Sequence, residues 1–142
     1  MIRLLQVAVS IEARKEGDAV SPRRVLVADD QPTTRRGLRA FLSALPGVEW
    51  VGEATNGCEA ANLVTECQPD VVLMDARMPE MGGIEATRRI KSQTPTVKVI
   101  MLTMYGEYRA EALAAGADNF LVKGGPFEAL RNAICNAGSG AI

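Results

Sequence analysis

The stretch VLVADDQP, residues 25–32, holds the pattern that decides the fold. Four apolar residues are followed at once by two carboxylates and then by a proline, a favoured first residue of a helix. A short strand that is apolar along its whole length is typical of a parallel sheet covered on both faces. We therefore predict a buried strand at 25–28, an acidic turn at Asp29-Asp30 and a helix from Pro32.

The same alternation of an apolar run and a helical segment recurs along the chain. Four further strands are predicted, the last of them a more polar edge strand: Asp70–Met74, Val97–Leu102, Asn119–Val122 and Val48–Ala54. Between and after the strands lie five segments whose apolar residues have helical spacing. This β-α alternation predicts an α/β fold, a doubly wound five-stranded parallel sheet of flavodoxin-like, three-layer type with strand order 2-1-3-4-5.

Composition excludes several classes of function. With 142 residues the chain can form one domain with a sizeable core, and its net charge of −1 provides no broad basic surface for nucleic acid. It has no histidine, so it cannot donate a phosphoryl group from phosphohistidine or complete a typical zinc site. Cys58, Cys67 and Cys135 are far apart and odd in number, which favours reduced thiols in a cytoplasmic protein.

The two ends of the chain stand outside the alternation. Residues 1–22 are interpreted as an N-terminal extension whose order the pattern does not fix. Its apolar stretch is too short to span a bilayer and has no clear signal-peptide cleavage site, so we expect no membrane contact. The folded domain is expected over residues 23–137, and residues 138–142 are expected to be a tail or the start of an interdomain linker.

Polar side chains follow four of the predicted strands. They are Asp29 and Asp30, Asp75, Thr103, and Lys123. Because the carboxyl ends of parallel strands meet at one edge, these side chains are expected to converge, and the repulsion between close carboxylates favours a bound Mg²⁺ or Mn²⁺. A carboxylate beside such an ion can attack phosphorus, while an ammonium and a hydroxyl bind the phosphoryl oxygens.

Each of these residues alone has a plainer interpretation. A single aspartate at a strand end is more often a helix N-cap, a lysine there is usually solvated, and Thr103 suits a strand as a β-branched residue. The coincidence of five such residues at the ends of four strands favours the functional interpretation.

These residues also carry a resemblance to a known family. Over about residues 23–137 the chain resembles the response-regulator receiver domains of two-component signalling. The resemblance rests on RRVLVADDQPTTRRGLRAFL (23–42), PDVVLMDARMPEMGGIEATRRI (69–90), VKVIMLTMY (97–105) and AGADNFLVKGG (115–125). In sequence, these stretches are most similar to the NarL/LuxR-type branch, whose members usually carry a DNA-binding helix-turn-helix after the receiver.

The resemblance implies a role for each acidic residue. Asp75 would be the phosphorylation site, accepting the phosphoryl group of a histidine kinase or a histidine phosphotransfer protein. Asp30 and Asp75 would bind Mg²⁺ directly, Asp29 would act through metal-bound water, and the backbone carbonyl of Arg77 would be a further ligand. The domain would therefore be a phosphoacceptor in signalling and not an enzyme.

The resemblance also implies a switch. Thr103 and Lys123 would bind the phosphoryl oxygens, and the movement of Thr103 would leave space for Phe120 to turn inward. The face built from the fourth helix, fifth strand and fifth helix would then change, and a partner or a second copy of the chain would bind there. The plainer interpretation of Phe120 is a core aromatic.

Two features depart from the commonest family pattern, one directly after Lys123 and one at Met104, where a smaller residue is frequent. Lys123 is followed by Gly124-Gly125 where many receivers have a proline, which predicts a more mobile loop and a less firmly placed lysine. Arg77 and Tyr105 are expected to flank the entrance to Asp75, with Met104 beside them. They predict slow reaction with small phosphodonors.

Three readings of the whole protein stay open at this stage. The favoured one is the input domain of a DNA-binding transcriptional regulator, in which DNA is bound by a further C-terminal domain and not by this chain. The second is a stand-alone receiver that acts through protein contacts. The third, a Mg²⁺-dependent phosphohydrolase with an aspartyl nucleophile, is disfavoured because Arg77 stands where such enzymes need a general acid.

Overall fold

Five strands alternate with five helices in this computed structural model, which describes residues 21–136. The strands are β1 (Arg23–Ala28), β2 (Val48–Ala54), β3 (Val71–Met74), β4 (Lys98–Thr103) and β5 (Asn119–Val122). The helices are α1 (Pro32–Ser43), α2 (Gly57–Cys67), α3 (Gly83–Gln93), α4 (Arg109–Ala114), preceded by a 3-10 turn at Gly106–Tyr108, and α5 (Phe127–Asn136). None of these helices has the length and apolarity needed to cross a membrane. Most of the predicted extension, and the predicted tail, lie outside the described residues.

All five strands are parallel and form one sheet in the order β2-β1-β3-β4-β5. The predicted doubly wound α/β fold is therefore confirmed, and β2 lies at an edge as expected. The neighbouring strands β1 and β3 are in register, with Ala28 opposite Met74. Because both strands run in one direction, the residues that follow them meet at the same edge of the sheet.

Two strands extend beyond their predicted bounds at polar positions. β1 begins at Arg23 rather than Val25, because Arg23 and Arg24 pair with the backbone of β2. β4 extends one residue further than predicted, to Thr103. Backbone hydrogen bonds decide where a strand begins and ends, and polar residues form them as well as apolar ones do. A prediction from apolar runs therefore misses polar residues at strand ends.

The sheet is covered by helices on both faces. On one face, the fully or largely buried residues of α1 and α5 are Leu42, Leu130 and Ile134. On the other face, the corresponding residues of α2, α3 and α4 are Ala60, Ala61, Val64, Ala86, Ile90 and Ala112. Burial of one large apolar side chain contributes roughly 1.5–3 kcal/mol, so these two layers stabilise the strand ends that carry the polar residues.

Two glycines let the loop after β3 pack closely. A Cβ at Gly83 would overlap the carbonyl oxygen of Asp75 and would lie 2.8 Å from Cγ of Met74. A Cβ at Gly57, the first residue of α2, would lie 2.5 Å from the carbonyl oxygen of Met81. The loop between β3 and α3 is thus held between the N-termini of two helices, and this fixes the backbone at Asp75.

Candidate functional site

Three carboxylates lie together at the carboxyl edge of the sheet. One oxygen from each of Asp29, Asp30 and Asp75 lies within 4.8 Å of the other two. The convergence follows from the strand order, because Asp29 and Asp30 continue β1 while Asp75 continues β3. The backbone N–H of Asp75 also donates to the carbonyl oxygen of Ala28 at 2.9 Å, which extends the pairing of the two strands.

Asp29 is held by bonds to all of its polar groups. Its backbone N–H donates to the Ala54 carbonyl at 3.0 Å, and its carbonyl accepts from Nη1 of Arg35 at 2.8 Å. Oδ1 accepts from the backbone N–H of Gln31 at 2.8 Å, and Oδ2 accepts from Nζ of Lys123 at 2.6 Å. The side chain is only 2% exposed. Asp29 is therefore a buried and firmly oriented carboxylate.

Lys123 connects two of the three carboxylates. Its Nζ also lies 3.2 Å from Oδ2 of Asp75, and its backbone N–H donates to the Thr103 carbonyl at 2.8 Å. Gly124, with φ of +86°, turns the chain directly after the lysine. The sequence predicts a less firmly placed lysine at this glycine pair, whereas the structure shows its ammonium in contact with Asp29 and Asp75 together.

The electrostatics of the site work against the charge on Asp75. Burial raises the pKa of Asp75, the ammonium of Lys123 opposes this rise, and the nearby charge of Asp29 adds to it. For Lys123, burial lowers the pKa, but the hydrogen bond to Asp29 and the charge of Asp75 outweigh burial, so the pKa is raised. The site therefore stabilises the charged form of Lys123. For Asp75, the nearby positive charge does not compensate fully for burial, so its charged form is disfavoured.

The donor set fits a hard divalent cation. Oδ1 of Asp75 is buried and accepts no hydrogen bond from residues 21–136, and the half-buried Asp30 has no hydrogen bond or ion pair within that range. An all-oxygen set with unmet acceptor capacity suits Mg²⁺ or Mn²⁺ better than a softer metal. The residues that could hold the ion are Asp29, Asp30 and Asp75, with the carbonyl of Arg77 two residues beyond.

Thr103 lies at the buried end of β4. Its side chain is fully buried, and its hydroxyl accepts a hydrogen bond from the backbone N–H of Tyr105 at 3.3 Å. The hydroxyl is near enough to Asp75 to lower the pKa of that carboxyl slightly, although no hydrogen bond to Oδ1 is formed. The Thr103 hydroxyl therefore lies near the Asp75 carboxylate without donating a hydrogen bond to its buried Oδ1.

Arg77 and Tyr105 meet above the strand ends. The Arg77 guanidinium carbon lies 4.8 Å from the centroid of the Tyr105 ring, and Tyr105 contacts Tyr108 edge to face at 6.1 Å. The first contact joins the segment after β3 to the segment after β4. Met104 beside them is largely exposed. The predicted flanking pair is thus in direct contact across the strand ends that carry Asp75 and Thr103.

Phe120 lies in the core layer that α2, α3 and α4 share. Its side chain is 9% exposed, and the guanidinium of Arg109 lies 5.9 Å from its ring centroid. The ring therefore already packs inward in this structure. Its packing suits a core aromatic, and the switching role stays a prediction.

Two features of the site region are not predicted from the sequence. Arg35 contacts the acidic turn and forms an ion pair of 3.0 Å with Glu53. A largely apolar cavity of about 600 Å³ lies between α1 and the β5–α5 segment, where its lining includes Leu38, Phe41 and Phe127. The position of Arg35 one helical turn after the aspartate pair was an available signal. The cavity depends on spacing between helices, for which the sequence holds no signal.

Comparison with known proteins identifies the family. The sequence model of one protein family, the response regulator receiver domain, matches residues 25–135 of this chain. The response regulator UvrY of Escherichia coli is 42% identical over 118 residues, covering 82% of this chain and 54% of UvrY. The response regulator GacA of Pseudomonas aeruginosa is 38% identical over 113 residues, covering 78% of this chain and 53% of GacA. The chain spans about half the length of the curated relatives it matches.

Solved structures agree with this match. A LuxR-family two-component response regulator from Aurantimonas sp. SI85-9A1 superposes with a TM-score of 0.80 at 34% identity, covering 84% of this chain and 87% of that chain. A LuxR-family DNA-binding response regulator from Staphylococcus aureus gives a TM-score of 0.76 at 26% identity, covering 82% of this chain and 98% of that chain. The chain therefore belongs to the receiver-domain family of the two-component response regulators.

Proposed function

We propose that this domain accepts a phosphoryl group on Asp75 in a Mg²⁺-dependent reaction and transmits the signal through the face formed by α4, β5 and α5. The observation that carries the proposal is the placement of Asp75. Its carboxylate is buried between two further carboxylates and one ammonium, and its Oδ1 has no hydrogen-bond donor among the described residues. Such a group gains from a reaction that brings a cation and new hydrogen-bonding partners to it.

The reaction would transfer a phosphoryl group from a histidine nitrogen of the partner to a carboxylate oxygen of Asp75. A carboxylate oxygen of Asp75 attacks the phosphorus of a phosphohistidine on a histidine kinase or a histidine phosphotransfer protein. The bond from phosphorus to nitrogen breaks, and an acyl phosphate and a free histidine result. Later attack by water returns the carboxylate and releases inorganic phosphate. Mg²⁺, when bound by Asp30, Asp75 and the Arg77 carbonyl, and by Asp29 through water, would neutralise charge on the transferring group.

Lys123 and Thr103 would bind the product. Phosphorylation changes the charge at Asp75 from about −1 to nearly −2 and adds acceptor oxygens. Lys123 already lies 3.2 Å from Oδ2 of Asp75, so its ammonium can follow the new charge with little movement. The Thr103 hydroxyl can donate to a second oxygen, because the bond it now accepts from Tyr105 leaves its proton free.

The output would depend on the face formed by α4, β5 and α5. A movement of Thr103 would change the packing around Phe120, whose ring lies in the core next to α4. A partner protein, or a second copy of the chain in a homodimer, would then bind the altered face. In this structure the Phe120 ring is already buried.

The relatives support a regulatory output. Several are named as transcriptional regulators, and one solved neighbour is named as a DNA-binding response regulator. Because this chain matches only about half of each curated relative, we propose that it is the input domain of a DNA-binding regulator, with a stand-alone receiver as the alternative. Because a kinase of this kind carries its phosphohistidine in the cytoplasm, we also propose a cytoplasmic location for this domain.

Thermal unfolding tests the phosphoacceptor role without a cognate kinase. Beryllofluoride mimics an aspartyl phosphoryl group, and a ligand that binds only the folded state raises the unfolding midpoint in proportion to ln(1 + [L]/Kd). We expect Mg²⁺ with beryllofluoride to raise the midpoint by several degrees, and Asp75→Asn to remove the beryllofluoride-dependent part. An unchanged midpoint of the unmodified protein at saturating ligand would contradict the proposal.

A further inference from the structure

Arg35 contacts the backbone of the acidic turn, whereas Lys123 contacts the Asp29 side chain. Its Nη1 donates to the carbonyl oxygen of Asp29 at 2.8 Å, and its Nε donates to Oε1 of Glu53 at 3.0 Å. The Arg35 side chain is 14% exposed, and that of Glu53 is 34% exposed. A guanidinium held at two points in this way is a rigid donor, because its planar geometry leaves little freedom once both bonds are formed.

The bond to Asp29 acts on the backbone that leads to Asp30. The carbonyl of Asp29 belongs to the peptide unit that joins the two aspartates. Asp30 itself has no hydrogen bond or ion pair among residues 21–136. The direction of its carboxylate therefore depends on the peptide that precedes it, and Arg35 holds that peptide.

We propose that Arg35 is a positioning residue for the divalent cation, which orients Asp30 through the Asp29–Asp30 peptide while Glu53 holds the guanidinium. The inference rests on the proposed function, because it assumes that the three carboxylates bind the ion. Partners that orient metal ligands in this way typically change metal affinity 10- to 100-fold when they are removed.

Charge and geometry predict opposite results for the removal of Arg35. Arg35 carries a positive charge near an acidic cation site, so its charge alone weakens binding of Mg²⁺, and its loss would tighten binding. If Arg35 orients Asp30, its loss weakens binding instead. The sign of the change in affinity therefore separates a positioning role from a simple electrostatic one.

The experiment measures Mg²⁺ affinity by isothermal titration calorimetry on the unphosphorylated protein. We expect Arg35→Met to raise the Kd for Mg²⁺ about tenfold. Arg36→Met is the matched control, because Arg36 is the exposed next residue of α1, its side chain has no hydrogen bond or ion pair in the described part of the chain, and its loss removes the same charge. It should leave the Kd unchanged or slightly lower. Urea unfolding of both variants without Mg²⁺ shows whether the fold is intact.

Arg35→Lys provides a second arm that does not depend on the folding of Arg35→Met. Lysine keeps the charge but cannot donate to the Asp29 carbonyl and the Glu53 carboxylate with the same fixed geometry. A charge effect alone predicts an unchanged Kd for Mg²⁺, whereas the positioning role predicts a Kd that is raised severalfold.

The outcomes separate this inference from the function on which it rests. If the unmodified protein binds Mg²⁺, Asp30→Asn abolishes binding, and both Arg35 variants bind as tightly as the unmodified protein or more tightly, the positioning role is wrong while the metal site stands. If the unmodified protein does not bind Mg²⁺, the proposed function itself fails. Weaker binding in both Arg35 variants with normal binding in Arg36→Met supports the inference.

Discussion

Lys123 and Asp29 form the shortest ion pair among the described residues, with 2.6 Å between Nζ and Oδ2. The two side chains are only 14% and 2% exposed. Because both charges have largely left water, each depends on the other for stabilisation. The ammonium is also 3.2 Å from Asp75 and is thus an internal counterion for two carboxylates. A bound cation or a phosphoryl group would redistribute a charge balance that Lys123 now maintains.

Replacing this counterion is expected to destabilise the fold. Lys123→Met leaves Asp29 and Asp75 buried without a positive partner, and loss of one member of a buried pair costs about 3 kcal/mol. We expect the free energy of unfolding, measured with urea in the absence of Mg²⁺, to fall by about that amount. The stabilisation gained on adding Mg²⁺ should be larger than in the unmodified protein, because the ion takes over the missing charge.

Lys98→Met is the control for this change. Lys98 lies at the start of β4, and its side chain has no hydrogen bond or ion pair among residues 21–136, so its loss should change the free energy of unfolding by less than about 0.5 kcal/mol. Equal stability of the Lys123 and Lys98 variants would contradict the role of Lys123 as counterion.

The stability of the protein is expected to depend on pH through Asp75. Burial raises the pKa of this carboxyl above its ordinary value of 3.8, so the folded chain holds the proton more tightly than the unfolded chain. The contribution of Asp75 to stability therefore falls as pH rises from about 3.8 through the raised pKa, and the loss persists at neutral pH.

Asp75→Asn removes the ionisable carboxyl and with it the loss of stability that its ionisation causes. We expect its free energy of unfolding at pH 7 to exceed that of the unmodified protein by about 1 kcal/mol, and the difference to shrink as pH falls through the raised pKa of Asp75. Urea unfolding over a pH series measures both. Glu66→Gln, an exposed change of the same charge, should stay within about 0.5 kcal/mol of the unmodified protein. A variant that is less stable at pH 7 than the unmodified protein would show that Asp75 is not electrostatically strained.

The sequence predicts the site residues that lie at strand ends and does not predict the residues that support them. Asp29, Asp75 and Lys123 follow apolar runs, and the parallel order of the strands is enough to bring their backbones to one edge. The bond from Arg35 to the Asp29 carbonyl depends on how α1 is oriented after the turn. Its partner Glu53 comes from β2, whose mixed polarity indicates only an edge strand.

The cavity between α1 and α5 could not be predicted for a related reason. Periodicity places Phe41 on α1 and Phe127 at the start of α5. It does not predict that their rings stack with centroids 5.2 Å apart, because that distance depends on how far apart the two helices lie. The burial of Phe120 differs from this case, because its place in a strand already predicts a core position. The movable ring that the resemblance implies stays a prediction.

Two glycines of the chain are expected to respond oppositely to alanine. In Gly83→Ala the new Cβ would overlap the Asp75 carbonyl oxygen, so the loop after β3 must move, at a cost of about 3 kcal/mol in the free energy of unfolding. In Gly37→Ala the Cβ on α1 meets nothing within 4 Å, and the gain in helix propensity should stabilise by about 0.5–1 kcal/mol. Urea unfolding of both variants checks this pair. Similar stabilities would mean that the close approach at Asp75 is absent in solution.

The contact between Arg77 and Tyr105 is expected to slow reaction with small phosphodonors. An exposed cation–π pair contributes about 0.5–1 kcal/mol, so opening it corresponds to a two- to fivefold change in rate. We expect Arg77→Gln to speed labelling by acetyl phosphate by about that factor, because the Arg77 carbonyl is kept while its side chain leaves Tyr105. The gain in mass of the intact chain over time gives the rate of labelling. Arg88→Gln, on the exposed face of α3, should label at the original rate.

The most direct test of the account is intact-mass spectrometry after incubation with acetyl phosphate and Mg²⁺. We expect that each chain gains one phosphoryl group, that the label maps to the peptide containing Asp75, and that chelation of Mg²⁺ or Asp75→Asn removes it. Labelling that persists in Asp75→Asn, or that does not depend on Mg²⁺, would contradict the assignment of Asp75 as the phosphoacceptor.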